Sequence, residues 1–111
     1  MIKYLVTGSS GFIGSHLVEE LNKLDCVVHE VDYVNGQDLC DRDYVDSLPD
    51  VDFVFHLAAV NGTWKFYKKP WEVGKNNILP TLNLLERYRG SSTKFIFAST
   101  CEIFNGAVDT G

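Results

Sequence analysis

The sequence is short of basic charge: 10 Lys and Arg stand against 15 Asp and Glu, a formal net charge of -5. The cations are scattered, and a phosphate backbone needs a concentrated basic patch, so a nucleic-acid surface is excluded. Long apolar runs are also missing, none approaching the roughly 18 residues of a membrane-spanning helix. Between Lys3 and Gly8 lie only four apolar or small residues, too few for the apolar region of a signal peptide. Cysteine is sparse and odd in number: Cys26, Cys40 and Cys101 lack the C-x-x-C spacing of a zinc or redox site. A disulfide framework is not expected, and a reducing cytoplasm is. With 3 prolines and 9 glycines the chain is neither collagen-like nor Pro-rich. It has no internal repeat and no linker. At 111 residues it is too short for a barrel of about 250, and suits one domain that is half of a doubly wound fold.

What is present alternates strands with helices. Ile2 to Val6 (IKYLV) is apolar after Lys3, the pattern of a strand buried on both faces of a parallel sheet. A glycine-rich turn follows. Ile13, Leu17, Leu21 and Leu24 then recur as one helical stripe, with Glu19, Glu20 and Lys23 opposite. Cys26 to Val31 (CVVHEV) is a second strand ending at Asp32. Asp41 to Leu48 is a short helix begun by an Asp cap and ended by Pro49-Asp50. Val51 to His56 is another strand. Trp71 to Arg89 carries the longest helical pattern, with Ile78, Leu82 and Leu85 on one stripe. Pro80 inside it predicts a kink near Asn76 and Asn77, or a start later than Trp71. Lys94 to Ala98 (KFIFA) is a last apolar strand. The expected fold class is α/β, a doubly wound parallel sheet of about five strands in the order 3-2-1-4-5, with right-handed crossovers. Asp32 and Asp38 are only six residues apart, whereas a parallel crossover usually needs a dozen or more, so a strand at Asp38-Leu39 must be an abbreviated edge.

The strongest chemical signal is TGSSGFIG, Thr7 to Gly14, directly after the first strand and opening the first helix. Gly8, Gly11 and Gly14 let the turn close, the backbone approach a pyrophosphate, and helix and strand pack closely. A helix N-terminus beyond them, at Phe12 and Ile13, presents unpaired N–H groups to phosphates. Asp32, ending the second strand, is placed to accept hydrogen bonds from ribose hydroxyls, and its charge repels a 2'-phosphate. That favours NAD over NADP. Tyr33 follows where an Arg could have clamped such a phosphate. His16, His29 and His56 have no Cys or carboxylate at ligand spacing, so no metal site is expected. Trp64 to Trp71 (WKFYKKPW) reads either as a packed loop with solvated lysines or as a contact for an anionic partner.

The spacing G-x-x-G-x-x-G resembles the extended branch of the short-chain dehydrogenase/reductase family, the nucleotide-sugar epimerases, dehydratases and decarboxylases. Further segments match in the family's order. Asp38-Leu39 resembles its adenine-contacting acid-aliphatic pair, and His56-Leu57-Ala58-Ala59 resembles the H-x-A-A segment lining the cofactor. Asn77 begins NILPTLNLLE, similar to N-x-x-G-T-x-N-L-L-E with Pro80 in place of the Gly. Ala98 to Asn105 (ASTCEIFN) resembles S-[ST]-x-x-[VI]-Y-G, with Phe104 for the Tyr. The resemblance implies a Rossmann-type fold and NAD as cofactor. It also implies that the Thr100 hydroxyl bonds the sugar hydroxyl being oxidised, and that Glu102 is an acid/base of the kind dehydratases and decarboxylases use.

The family's Y-x-x-x-K base has no counterpart: none of Tyr4, Tyr33, Tyr44, Tyr67 and Tyr88 has a Lys four residues on. The expectation is therefore an N-terminal portion, lacking the later strands and the C-terminal substrate domain, and inactive alone toward a nucleotide-diphosphate sugar. The alternatives are a non-catalytic dinucleotide-binding module, or a half completed by a second polypeptide docked at the exposed sheet edge; a homo-oligomer is also left open.

Overall fold

A computed structural model describes residues 1–59 and 67–98. Its elements follow the apolar runs. Strand β1 (Ile2–Thr7) leads into helix α1 (Phe12–Leu21), and β2 (Cys26–Val31) follows. A 3-10 turn (Tyr33–Asn35) and helix α2 (Arg42–Asp46) precede β3 (Phe53–His56). Helix α3 (Pro70–Arg87) and strand β4 (Lys94–Phe97) complete it. The four strands are parallel in the order β2-β1-β3-β4. Ile2 pairs with Cys26, Tyr4 with Phe53, Thr7 with both Val31 and His56, and Phe53 with Lys94.

This is the expected order with its outermost member missing. Asp38 lies in irregular chain and Leu39 in a turn, because six residues after Asp32 cannot carry a crossover back into the sheet. Instead Leu39 is buried, and its carbonyl accepts the Asn83 Nδ2–H at 2.9 Å.

Helices cover both faces. Side chains alternate along a strand, so Leu5 and Val6 of β1 enter different cores. Val6 packs with Val18 and Leu21 of α1, joined by Tyr4, Leu17, Val28 and Phe55. Leu5 packs with Val54, Val45, Leu48, Leu84 and Tyr88, under α2 and α3. Leu5, Val6, Val45, Val54 and Leu84 are fully buried, each contributing about 1.5–3 kcal/mol.

The apolar stripes differ from those read in the sequence. The face of α1 that is buried is Gly14, Val18 and Leu21, whereas Ile13 and Leu24 are exposed. Gly14 supplies the reason, since only a residue without Cβ can seat that turn against the glycine loop. On α3 the buried residues are Val73, Pro80, Asn83 and Leu84, while Ile78, Leu82 and Leu85 face outward at 62, 56 and 47% exposure. The inward row is partly polar, so hydrophobicity alone marks the wrong side of this helix.

Nor does Pro80 delay α3, which begins at Pro70 and runs through Pro80 to Arg87. Pro70 sits in the first turn, where no N–H is needed. At the other end the Tyr88 hydroxyl donates to the Pro49 carbonyl at 2.8 Å, and the Arg87 guanidinium bonds the Asp50 carboxylate at 3.0 Å. Helix α2 begins as its sequence demands: the Asp41 carboxylate accepts the Asp43 and Tyr44 amides.

Candidate functional site

The strand order places a topological switch between β1 and β3, since β2 lies on one side of β1 and β3 on the other. In open parallel sheets the crevice at the carboxyl ends of such strands is where ligands bind. Thr7 ends β1 there, and the glycine loop begins with Gly8 in the left-handed region, φ +70. That conformation brings Gly8 against β3: a Cβ on it would lie 2.8 Å from the Ala58 nitrogen. The Gly8 amide donates to the Val31 carbonyl at 2.8 Å, tying the loop to β2 as well. A Cβ on Gly14 would collide with the Gly8 carbonyl. The loop is therefore closed so tightly that a side chain at either glycine would force the backbone apart.

Helix α1 opens from that loop with Gly11 as its N-cap and no side chain capping its amides. The N–H groups of the first turn remain available, with positive dipole behind them. Phe12 and Ile13, at that turn, are 82 and 66% exposed. Ser9 Oγ is buried in the same loop without a hydrogen-bond partner.

Asp32 sits beside the loop rather than in free solvent. Its Oδ2 accepts the Ser10 amide at 2.9 Å, and its Oδ1 accepts the Val34 amide at 3.1 Å, capping the 3-10 turn. The Asp32 amide in turn donates to Gln37 Oε1 at 3.0 Å. The carboxylate is thus fixed within one residue of Gly11, with lone pairs left over. Asp38 is exposed, and its Oδ1 accepts the Cys40 amide at 2.9 Å.

On the other wall, the Leu57 and Ala58 amides donate to Thr7 Oγ1 at 3.1 and 3.2 Å. Leu57 and Ala58 are half-buried and Ala59 is exposed. Thr7 Oγ1 lies 2.6 Å from His56 Nδ1, and His56 Nε2 lies 3.0 Å from Thr81 Oγ1 on α3. Thr81 donates to the Asn77 carbonyl at 3.3 Å. His56 is 2% exposed, and burial lowers its imidazole pKa from 6.5 to about 4. The ring is neutral at pH 7.

The structure thus brings Gly8, Gly11, Phe12, Ile13, Gly14 and Asp32 together on one side of the crevice, and Leu57 and Ala58 on the other. Leu39 is turned into the core. Thr100 and Glu102 lie outside the described residues. In the Trp64 to Trp71 stretch, Tyr67 and Trp71 are 79 and 80% exposed; residues 64–66 lie outside the described residues. Sequence reading gave no role to the hydroxyls of Thr7 and Thr81. The available signal was a polar residue closing an otherwise apolar strand, Thr7, in register with another, His56.

The comparisons with known proteins agree with this geometry. The UDP-N-acetyl-alpha-D-glucosaminuronate decarboxylase of Bacillus cytotoxicus is 34% identical over 118 aligned positions, spanning 90% of this chain and 37% of that protein. The solved UDP-glucose 4-epimerase of Thermus thermophilus, in complex with NAD, superposes with a TM-score of 0.79 at 32% identity, over 89% of this chain and 38% of that one. The structure of Pal from Bacillus thuringiensis gives 0.84 at 26% identity, over 92% and 40%. The chain therefore spans about two-fifths of the length of these proteins. Among the described residues no helix is long and apolar enough to cross a membrane. Residues 4–110 match the NAD dependent epimerase/dehydratase family, and the chain belongs to it.

Proposed function

We propose that residues 1–111 form one NAD-binding unit of a nucleotide-sugar epimerase, dehydratase or decarboxylase. The observation that carries this reading is the Asp32 carboxylate held by the Ser10 amide beside the uncapped N-terminus of α1. An anion-binding helix end and a fixed acid, one loop apart, match a pyrophosphate and a ribose diol. Gly8, Gly11 and Gly14 leave room for the pyrophosphate, which the Phe12 and Ile13 amides would receive. Asp38, with the backbone of Leu39, would lie along the adenine, and Leu57, Ala58, Ala59 and Asn77 along the rest of the dinucleotide. NAD, when bound, supplies a hydride acceptor for a sugar carbon.

Thr100 and Glu102 are assigned to the nucleotide-diphosphate sugar. A hydroxyl at Thr100 would bond the sugar hydroxyl being oxidised, and the Glu102 carboxylate would move a proton at a neighbouring carbon. No Tyr in these residues has a Lys four positions on, so the 111-residue chain is expected to bind NAD without turning over a sugar nucleotide. A cytoplasmic setting belongs to the same reading and rests on Cys26 and Cys40 being free thiols among the described residues.

A second reading, a binding module completed by another chain, is favoured by one observation: among the described residues β4 is an edge strand, with Ile96 and Phe97 exposed at 41 and 55%. Calorimetric titration with NAD tests what both share. Asp32→Ala should weaken binding at least about tenfold, by loss of charge-assisted hydrogen bonds, and narrow the preference over NADP. No binding at millimolar NAD, or an Asp32→Ala variant that binds like the wild type, refutes the proposal. Sugar-nucleotide turnover by the purified chain refutes the expected inactivity.

A further inference from the structure

Thr7, His56 and Thr81 come from three elements, yet every hydrogen in their contact has one direction. Thr7 Oγ1 already accepts two amides, from Leu57 and Ala58, so its own proton goes to His56 Nδ1. The Thr81 proton goes to the Asn77 carbonyl, so Thr81 Oγ1 can only accept from the ring, and Nε2 carries the imidazole proton. Amide N–H groups begin this chain and a carbonyl ends it. An amide is too weak an acid and a carbonyl too weak a base to pass protons on at pH 7, so the chain cannot serve as a proton path.

What it joins is more informative. At one end, the hydroxyl that receives Leu57 and Ala58 belongs to the residue before Gly8, which lies so close to Ala58 that a Cβ on it would meet the Ala58 nitrogen. At the other end, Thr81 directly follows Pro80, where α3 lacks an N–H for the Asn76 carbonyl and is intrinsically weakest. We propose that His56 is a positioning residue for the cofactor crevice: with Thr7 and Thr81 it forms a relay of single polarity that pins the proline turn of α3 to the ends of β1 and β3. The pinned turn keeps Asn77 and the Leu57-Ala58 segment in fixed relation before any ligand arrives. The relay rests on the NAD-binding reading only for its effect on affinity.

The test uses the 111-residue chain. Thr81→Val keeps the shape and removes the hydroxyl, and Thr81→Ser restores it. Calorimetry should show NAD binding about fivefold weaker in Thr81→Val, the equivalent of one net hydrogen bond, and within about twofold of wild type in Thr81→Ser. Nitrogen-15 spectra at pH 7 should show a bare His56 Nδ1 and a protonated Nε2. Amide exchange around Thr81 should be faster in Thr81→Val and unchanged in Thr81→Ser. Thr81→Val binding and exchanging like the wild type overturns the relay, as does a proton on Nδ1. A wild-type chain that fails to bind NAD refutes the proposed function alone, and the ring-nitrogen and exchange results then decide the relay.

Discussion

Lowering the pH should destabilise this protein through His56 in particular. The imidazole is 2% exposed, and burial lowers its pKa from 6.5 to about 4. In the unfolded chain it regains its ordinary value and binds a proton that the folded state refuses. Between pH 6.5 and 4 the unfolded state therefore holds more protons, and stability falls as pH falls through that window. Above pH 6.5 both states are neutral and nothing is lost. A shift of this size corresponds to about 3 kcal/mol between pH 7 and pH 4. For a domain whose total stability is about 5–15 kcal/mol, that is a large share. Urea unfolding of the wild type and of His56→Gln across this range isolates it, because the carboxylates titrate alike in both. His56→Gln should be less stable at pH 7, having lost its contacts, but its stability should fall less steeply toward pH 4. Parallel curves for the two proteins, or a His56 ring that titrates near 6.5 by NMR, would refute the reasoning.

Three further outcomes follow from packing. Gly14→Ala puts a methyl into the Gly8 carbonyl, so NAD binding should be lost and the melting temperature should drop, for a cost of about 1–3 kcal/mol. Leu84→Ala empties a fully buried site and should cost about 2–5 kcal/mol in urea unfolding, whereas the exposed Leu82→Ala on the same helix should cost under about 1 kcal/mol. Asn83→Ala leaves the Leu39 carbonyl without its donor, and should cost about 1–3 kcal/mol by the same assay.

Strands were the most legible part of the sequence. β2 is formed by the very residues Cys26–Val31 that the sequence marks, because its three β-branched valines lie between Asp25 and Asp32, which bound the run. The glycine loop was legible for a related reason: Gly8 and Gly14 answer steric demands no other residue meets. Helix faces were not. Pro80 and Asn83 lie on the buried side of α3, and a hydrophobicity pattern scores both as outward. Nor could the sequence show that Leu39 turns inward, because its place is set by Asn83, 44 residues away. The Thr7, His56 and Thr81 contacts escaped notice for the same reason, since each link crosses between elements and no local period encodes it.

The central place of β1 also has a consequence for how the chain reaches its fold. Among the described residues β2 pairs only with β1, and β3 pairs with β1 before β4 can add to it. Joining Ile2 to Cys26 closes a loop about half as long as joining Tyr4 to Phe53, and a doubling of loop length costs only about 0.6 kcal/mol. Closure entropy therefore hardly ranks the two pairings. What they have in common is that both need the same six-residue template, β1, without which neither forms. Damage to β1 would slow every later step of assembly, whereas damage to β4 would mainly hasten its loss.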